Sequence, residues 1–190
     1  IKILNLYTNK KIKITLIEEK ESLGTGGCLK LLENKVKNDN LLIINGDTYF
    51  DIEAKSFNSY IFKKNLVNVD SLFFSGMSFS NEGEVSVINT NKDNIFFKKV
   101  LLENISIKNN KKCFSGWILI SPHLIKHFPT GRYNFEEMFE GLQKKINIKS
   151  QIFQTNSNFY DFGTPNRYAQ LSNFIKNSNK LIIKKFKTEV

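Results

Sequence analysis

The sequence predicts an α/β domain built on a mixed sheet. Three observations carry this reading. Strand-like and helix-like segments alternate at both ends of the chain. The middle is rich in strands joined by a short polar turn. The glycine and aspartate clusters SLGTGG (22–27), Gly46-Asp47 and Asp161 each follow a strand-like run. In open sheets of this class, ligands gather at the carboxyl ends of strands, so the candidates for chemistry lie where the fold class expects them.

Taken in order, residues 12–18 (IKITLIE) alternate and are β-branched, the pattern of a strand. The glycine cluster then turns the chain. Thr25 stands where it can cap a helix from Gly26 to about Lys37, with Leu29, Leu32 and Val36 at helical spacing. LLIIN (41–45) is apolar at successive positions, as in a central strand covered on both faces. Residues 52–64 read as a helix. Strands follow at 71–79, 84–89 and 94–102, the last two joined by a hairpin turn in NTNKDN. CFSGWILIS (113–121) is a further strand, and Pro122 opens a short helical turn carrying Leu124 and Ile125. A helix over 134–145 has Asn134 as its cap and Glu136 and Glu137 in its first turn, where acidic groups complement the helix dipole. IKSQIF (148–153) is a strand. Thr164 and Pro165 start a last helix that runs to about Asn177, with Tyr168, Leu171 and Phe174 or Ile175 as its buried stripe. Residues 179–190 read as a terminal strand or a basic tail, beyond a main domain over 1–178.

The 190 residues are enough for one domain with a core, and 41% hydrophobic with 13% aromatic content excludes a disordered chain. No apolar run reaches the roughly 18 residues of a membrane span, and no secretion signal is visible. Cys28 and Cys113 are isolated thiols without metal spacing, which points to a reducing, cytoplasmic setting. The net charge of +10 attracts phosphate groups, yet only Arg132 and Arg167 of the 28 basic residues are arginines. The lysines are scattered among 24 asparagines without a long basic tract. Nucleic-acid readers lean on the bidentate guanidinium, so composition favours a solvated surface over a nucleic-acid face.

The three glycines of SLGTGG let backbone approach a ligand closely, and a helix start supplies free N–H groups; a plain turn and cap explains the same residues. Asp47, with Thr48 beside it, suits Mg²⁺ held by one or two carboxylates with waters completing the shell, or a simple turn cap. Asp161, in FYDFGTP, is either a turn aspartate or the second carboxylate of such a site. His123 and His127 lack the intervening Glu and third ligand of a zinc motif. Ser115-Gly116-Trp117 runs into a strand, so it is no nucleophile elbow.

In this order the pieces resemble the sugar-1-phosphate nucleotidyltransferases, above all the heptose-1-phosphate and mannose-1-phosphate guanylyltransferases. The matching motifs are Leu23-Gly24-Thr25-Gly26-Gly27 before a helix, Asn45-Gly46-Asp47 after an apolar strand, Ser115-Gly116-Trp117-Ile118 followed by Ser121-Pro122, and Tyr160-Asp161-Phe162-Gly163-Thr164-Pro165. They span roughly 20–175. The resemblance implies a Rossmann-like nucleotide-diphosphosugar transferase fold with a mixed central sheet. It places Leu23, Gly24, Thr25, Gly26, Gly27, Asn45 and Gly46 at the nucleotide and Gly83, Lys99 and Gly116 at the sugar. Asp47 and Asp161 would be catalytic through a shared Mg²⁺. The implied substrates are GTP and heptose or mannose 1-phosphate, the implied role is cell-surface polysaccharide synthesis, and the implied partners include a second copy of the chain but no nucleic acid or membrane.

Two departures accompany the resemblance. Phe96-Phe97-Lys98-Lys99 stands where the family writes F-x-E-K, so the acceptor that grips sugar hydroxyls is replaced by Lys98. The family's opening GGxGTR loop, which cradles the triphosphate, does not occur in these 190 residues, which begin at Ile1. The expectation is therefore a domain lacking its N-terminal strands, in which LLIIN loses one neighbour and these residues alone are unstable or inactive. Two other functions follow from the same features: a catalytically dead relative that serves as a binding module, and a basic nucleic-acid-binding domain.

Overall fold

Apolar alternation makes a segment eligible for a sheet, but a partner backbone must satisfy its N–H and C=O groups before it becomes one. The computed structural model describes residues 14–36, 39–52, 57, 69–79, 84–101 and 113–188, with 178–188 described by backbone alone. Seven strands find partners: β1 (Leu41–Ile44), β2 (Thr48–Phe50), β3 (Ser71–Ser78), β4 (Glu84–Asn91), β5 (Asn94–Leu101), β6 (Cys113–Ile120) and β7 (Ser150–Asp161). They form one sheet in the order β2-β7-β3-β6-β4-β5, with β1 also on β6. β3 and β7 run parallel while the other pairs are antiparallel, so the sheet is mixed as the sequence predicts.

The helical elements are α1 (Gly24–Gly27), which continues as a 3₁₀ turn over Cys28–Leu32, a second 3₁₀ turn at Pro122–His127, α2 (Phe135–Gln143) and α3 (Pro165–Thr188). Period-2 alternation divides the sheet's side chains between two cores. On one face Phe73, Ile118 and Ile120 meet Phe135, Met138 and Phe139 of α2. On the other, Leu72 and Phe74 meet Phe50 and Phe159, with Trp117 packed against them. The β4–β5 hairpin closes through Lys92-Asp93, between the paired Asn91 and Asn94, and Lys92 is the one non-glycine residue with positive φ among the described residues.

β6 organises the region of interest. One edge pairs with β3. The other pairs with β1 along Trp117–Ile120 and, among the described residues, is bridged to β4 at Cys113. Between these contacts lies Gly116, with φ +76°, a left-handed conformation that costs glycine little and other residues more. β1 and β4 diverge there, and the sheet forks.

Several expectations are corrected. Residues 14–18, the described part of the predicted strand 12–18, form no strand and are exposed, since no described strand pairs with them. The helix predicted to reach Lys37 is one α-turn and a 3₁₀ turn ending at Leu32; two adjacent glycines at its start supply little helix propensity, although Leu29 is buried and Leu32 and Val36 pack on the core as the periodicity requires. β1 is buried on one face only: Leu41 and Ile43 pack on the core, while Leu42 and Ile44 are exposed. On α3, Leu171 is buried and Phe174 stacks near Tyr160, but Tyr168 is exposed, so the buried stripe is narrower than predicted. The backbone of α3 runs on to Thr188, where a strand or tail from 179 was expected. The helix predicted over 52–64 falls mostly outside the described residues. Among the described residues no helix is long and apolar enough to cross a membrane.

Candidate active site

The fork at Gly116 opens a cleft of about 250 Å³. Its floor is apolar, from Ile43, Phe114 and Ile118, and Thr25, Asn45 and Lys99 reach it from three separate segments. Gly116 is required there in two ways. Its backbone is left-handed, and a Cβ would stand 2.5 Å from Asn45 Nδ2. Asn45 in turn donates its backbone N–H to Gly116 O at 3.2 Å. Lys99 is anchored loosely, with Nζ 3.6 Å from Glu84 Oε2 and both side chains about half exposed, so its ammonium is available to an anion. Gly83 lies outside the described residues.

The glycine cluster packs against the segment that leads into α2. The N–H groups of Gly26 and Gly27 are donated to Tyr133 O, at 3.0 and 3.4 Å, and Tyr133 N–H returns to Leu23 O at 2.9 Å. A Cβ on Gly24 would meet Tyr133 O at 2.5 Å, and one on Gly27 would overlap Gly131 O. The close approach that these glycines permit is therefore to the segment before α2. Of the five residues Leu23 to Gly27, Thr25 lines the cleft. The expected cap is also corrected: Thr25 Oγ1 accepts the N–H of Phe135 at 3.1 Å, so it caps α2 and not its own turn. Asn134 holds the N-cap position of α2 but makes no side-chain cap bond.

Beyond Asn45, Gly46 borders open space and the chain brings Asp47 to the start of β2. β2 pairs with β7 so that Thr48 is opposite Asp161, and Phe162 N–H donates to Asp47 O at 2.8 Å. Two carboxylates far apart in sequence are thereby fixed side by side. Gly163 separates them: a Cβ there would lie 2.8 Å from Asp47 Oδ2 and 3.3 Å from Asp161 Oδ1. The absent side chain leaves a space that both carboxylates border. Asp161 is held by Gly163 N–H on Oδ1, at 2.9 Å, and by Arg167 Nη1 on Oδ2, at 2.6 Å. Among the described residues no three His, Cys, Asp or Glu side chains form a metal cluster. Two carboxylates around a gap nevertheless fit Mg²⁺, which takes one or two protein carboxylates and fills its octahedron with phosphate oxygens and water.

Sequence reasoning did not single out Arg167, whose spacing of six from Asp161 becomes a contact only through the turn into α3. It assigned Glu136 to the helix dipole alone, yet Glu136 lines the cleft. Beside the site, burial raises the phenols of Tyr49 and Tyr160, and the charge of Asp51 adds to this. His123, set aside as a ligand, pairs with Asp70 at 3.2 Å, away from the cleft.

No protein-family model matches the chain. A D-glycero-alpha-D-manno-heptose 1-phosphate guanylyltransferase of Campylobacter jejuni is 29% identical over 157 residues, 83% of this chain and 65% of that protein, so the chain spans less than two thirds of this curated relative's length. The crystal structure of HddC from Yersinia pseudotuberculosis complexed with GMP-PN matches with a TM-score of 0.59 and 22% identity, covering 88% of this chain and 70% of that one. An inositol-1-phosphate CTP transferase from T. maritima matches with a TM-score of 0.64 and 12% identity, covering 86% of this chain and 66% of that one. The shared feature is the fold, the Rossmann-like mixed α/β domain that the four motifs imply.

Proposed function

We propose that this chain, a relative of the sugar-1-phosphate nucleotidyltransferases in sequence and in fold, transfers a nucleotidyl group from a nucleoside triphosphate to a sugar 1-phosphate and releases pyrophosphate. The observation that carries the reading is the placement of Asp47 and Asp161 around Gly163, with Asp47 two residues along the chain from Asn45 of the cleft that also holds Gly116 and Lys99.

The chemistry asks little of the protein in covalent terms. A phosphate oxygen of the sugar ester attacks the α-phosphorus, a new P–O bond forms in line, and the bond to the β-phosphate breaks so that pyrophosphate leaves with the electron pair. No protein nucleophile is needed, so catalysis rests on positioning and on neutralising charge. Asp47 and Asp161 would hold Mg²⁺, which when bound offsets the charge of the reacting phosphates. Arg167 keeps the Asp161 carboxylate oriented toward the gap. Lys99 faces the cleft as the cation for the sugar's phosphate, and Gly116 lets the ring approach the backbone. GTP and a heptose or mannose 1-phosphate are the substrates this reading selects, because the sequence relative is a D-glycero-alpha-D-manno-heptose 1-phosphate guanylyltransferase and the HddC structure is complexed with GMP-PN. The product would serve cell-surface polysaccharide synthesis.

The test is pyrophosphate release by the protein expressed from its complete reading frame, with Mg²⁺, GTP and each of heptose, mannose and glucose 1-phosphate. Turnover with one sugar is expected, falling about a hundredfold or more in Asp161→Asn, as for loss of a major electrostatic group. Binding of both substrates without turnover would assign the chain to the binding-module reading instead. No turnover and no binding with any pair overturns the proposal.

A further inference from the structure

We infer that Glu136 is the residue that recognises the sugar's hydroxyls in the cleft, with Lys99 meeting its phosphate. This rests on the transferase reading and names the specificity determinant of the same site.

α2 presents three polar side chains to the β4–β5 ribbon at successive turns. Gln143 forms two bonds with Ile95, accepting its N–H at 2.7 Å and donating to its carbonyl at 2.9 Å. Glu140 accepts the N–H of Phe97 at 2.8 Å. Both stand in for a neighbouring strand at the sheet edge. The third, Glu136, reaches the level of Lys99, and there the pattern changes. Its Oε1 accepts Ser86 Oγ–H at 3.2 Å, and Ser86 is the register partner of Lys99. The carboxylate is thereby positioned by a side chain, with acceptor capacity left over, and it lines the cleft that Lys99 also lines.

The surroundings define the ligand. The cleft has apolar ring surface from Phe114 and Phe135, whose stacked rings lie 6.3 Å apart, and the amide of Asn134. An acceptor-rich carboxylate, neutral amides, an apolar floor and one exposed ammonium suit a polyhydroxy ring with an anionic end. A volume of about 250 Å³ is ample for one such ring. Lys98 belongs to the opposite strand face from Lys99 by alternation, and Glu136 is the carboxylate that lines the cleft beside Lys99.

The experiment is a calorimetric titration of mannose 1-phosphate and heptose 1-phosphate into the wild-type protein, Glu136→Gln and Glu140→Gln, with inorganic phosphate and GTP as separate ligands. Glu136→Gln removes a negative charge, so electrostatics alone would tighten the binding of any phosphate. Weakening by about tenfold or more for the sugar phosphate, with inorganic phosphate and GTP unweakened, therefore identifies hydroxyl recognition. Glu140→Gln keeps an acceptor for the Phe97 N–H and is expected to leave sugar affinity intact. Unchanged sugar affinity in Glu136→Gln, a loss confined to GTP, or no sugar phosphate binding by the wild type overturns the inference. Sugar binding that depends on Glu136 but is accompanied by no pyrophosphate release would instead overturn the transferase reading.

Discussion

Gly163 and Thr25 show how single residues define this site. Gly163 has ordinary backbone, so alanine is tolerated conformationally, but its methyl would fill the space between Asp47 Oδ2 and Asp161 Oδ1. Gly163→Ala is expected to fold with an unchanged thermal midpoint while the Mg²⁺ concentration for half-maximal turnover rises by about tenfold or more, the scale of disturbing a group that orients a ligand. An unchanged metal requirement would mean the cation sits elsewhere. Thr25 ties the glycine turn to α2 by one bond to Phe135 N. Thr25→Val keeps the shape and deletes the acceptor, and loss of a helix cap costs about 1 kcal/mol. Urea unfolding measures this, and Asn134→Ala, which removes no cap bond, is the comparison.

At the scale of elements, the contact between α2 and β5 decides where the sheet stops and the cleft begins. The outer edge of β5 would otherwise present a row of unpaired backbone groups. Gln143 and Glu140 occupy that edge, and Glu136, one turn further on, enters the cleft. Gln143→Leu is expected to destabilise the fold by about 1–3 kcal/mol, because both polar groups of Ile95 lose their partner while Ile95 itself is fully buried. The unfolding midpoint reports this. The fork at Gly116 is the other element-level device: with β1 on one half of β6 and β4 on the end of the other, the sheet opens where a ligand can enter.

For the molecule as a whole, the sheet with its two apolar faces carries the stability, and acids that the fold holds in their protonated form contribute to the response to alkali. Cys113 is 2% exposed, and burial raises its thiol above the ordinary value of 9.0, partly offset by the backbone of Ser78. Tyr49 and Tyr160 are raised above 10.0 by burial in the first place. In each case the folded state keeps a proton that the unfolded chain releases, so this contribution is complete below pH 9.0 and lost as pH rises through the raised folded values. The urea midpoint is expected to hold steady to about pH 8.5 and to fall above it, with a shallower fall in Cys113→Ala. An equally steep decline in the variant would place the alkaline sensitivity in other groups.

Local patterns in the chain were sufficient for the class of fold, for strands 71–78, 84–91, 94–101 and 113–120, for the hairpin at Lys92-Asp93 and for α2, because alternation and 3.6-residue periodicity express which face an element buries. They also marked Asp47 and Asp161 as strand-end carboxylates. Partnership is a different matter. That residues 14–18 form no strand, that LLII is covered on one face only, that Thr25 caps a helix 110 positions away and that the glycines of SLGTGG pack against the Tyr133 segment were settled by tertiary contacts. The same holds for Glu136, whose sequence signal is that of any acidic residue in a first helical turn. Hydrogen bonds and packing between distant segments depend on which backbone arrives alongside, and no local period encodes that.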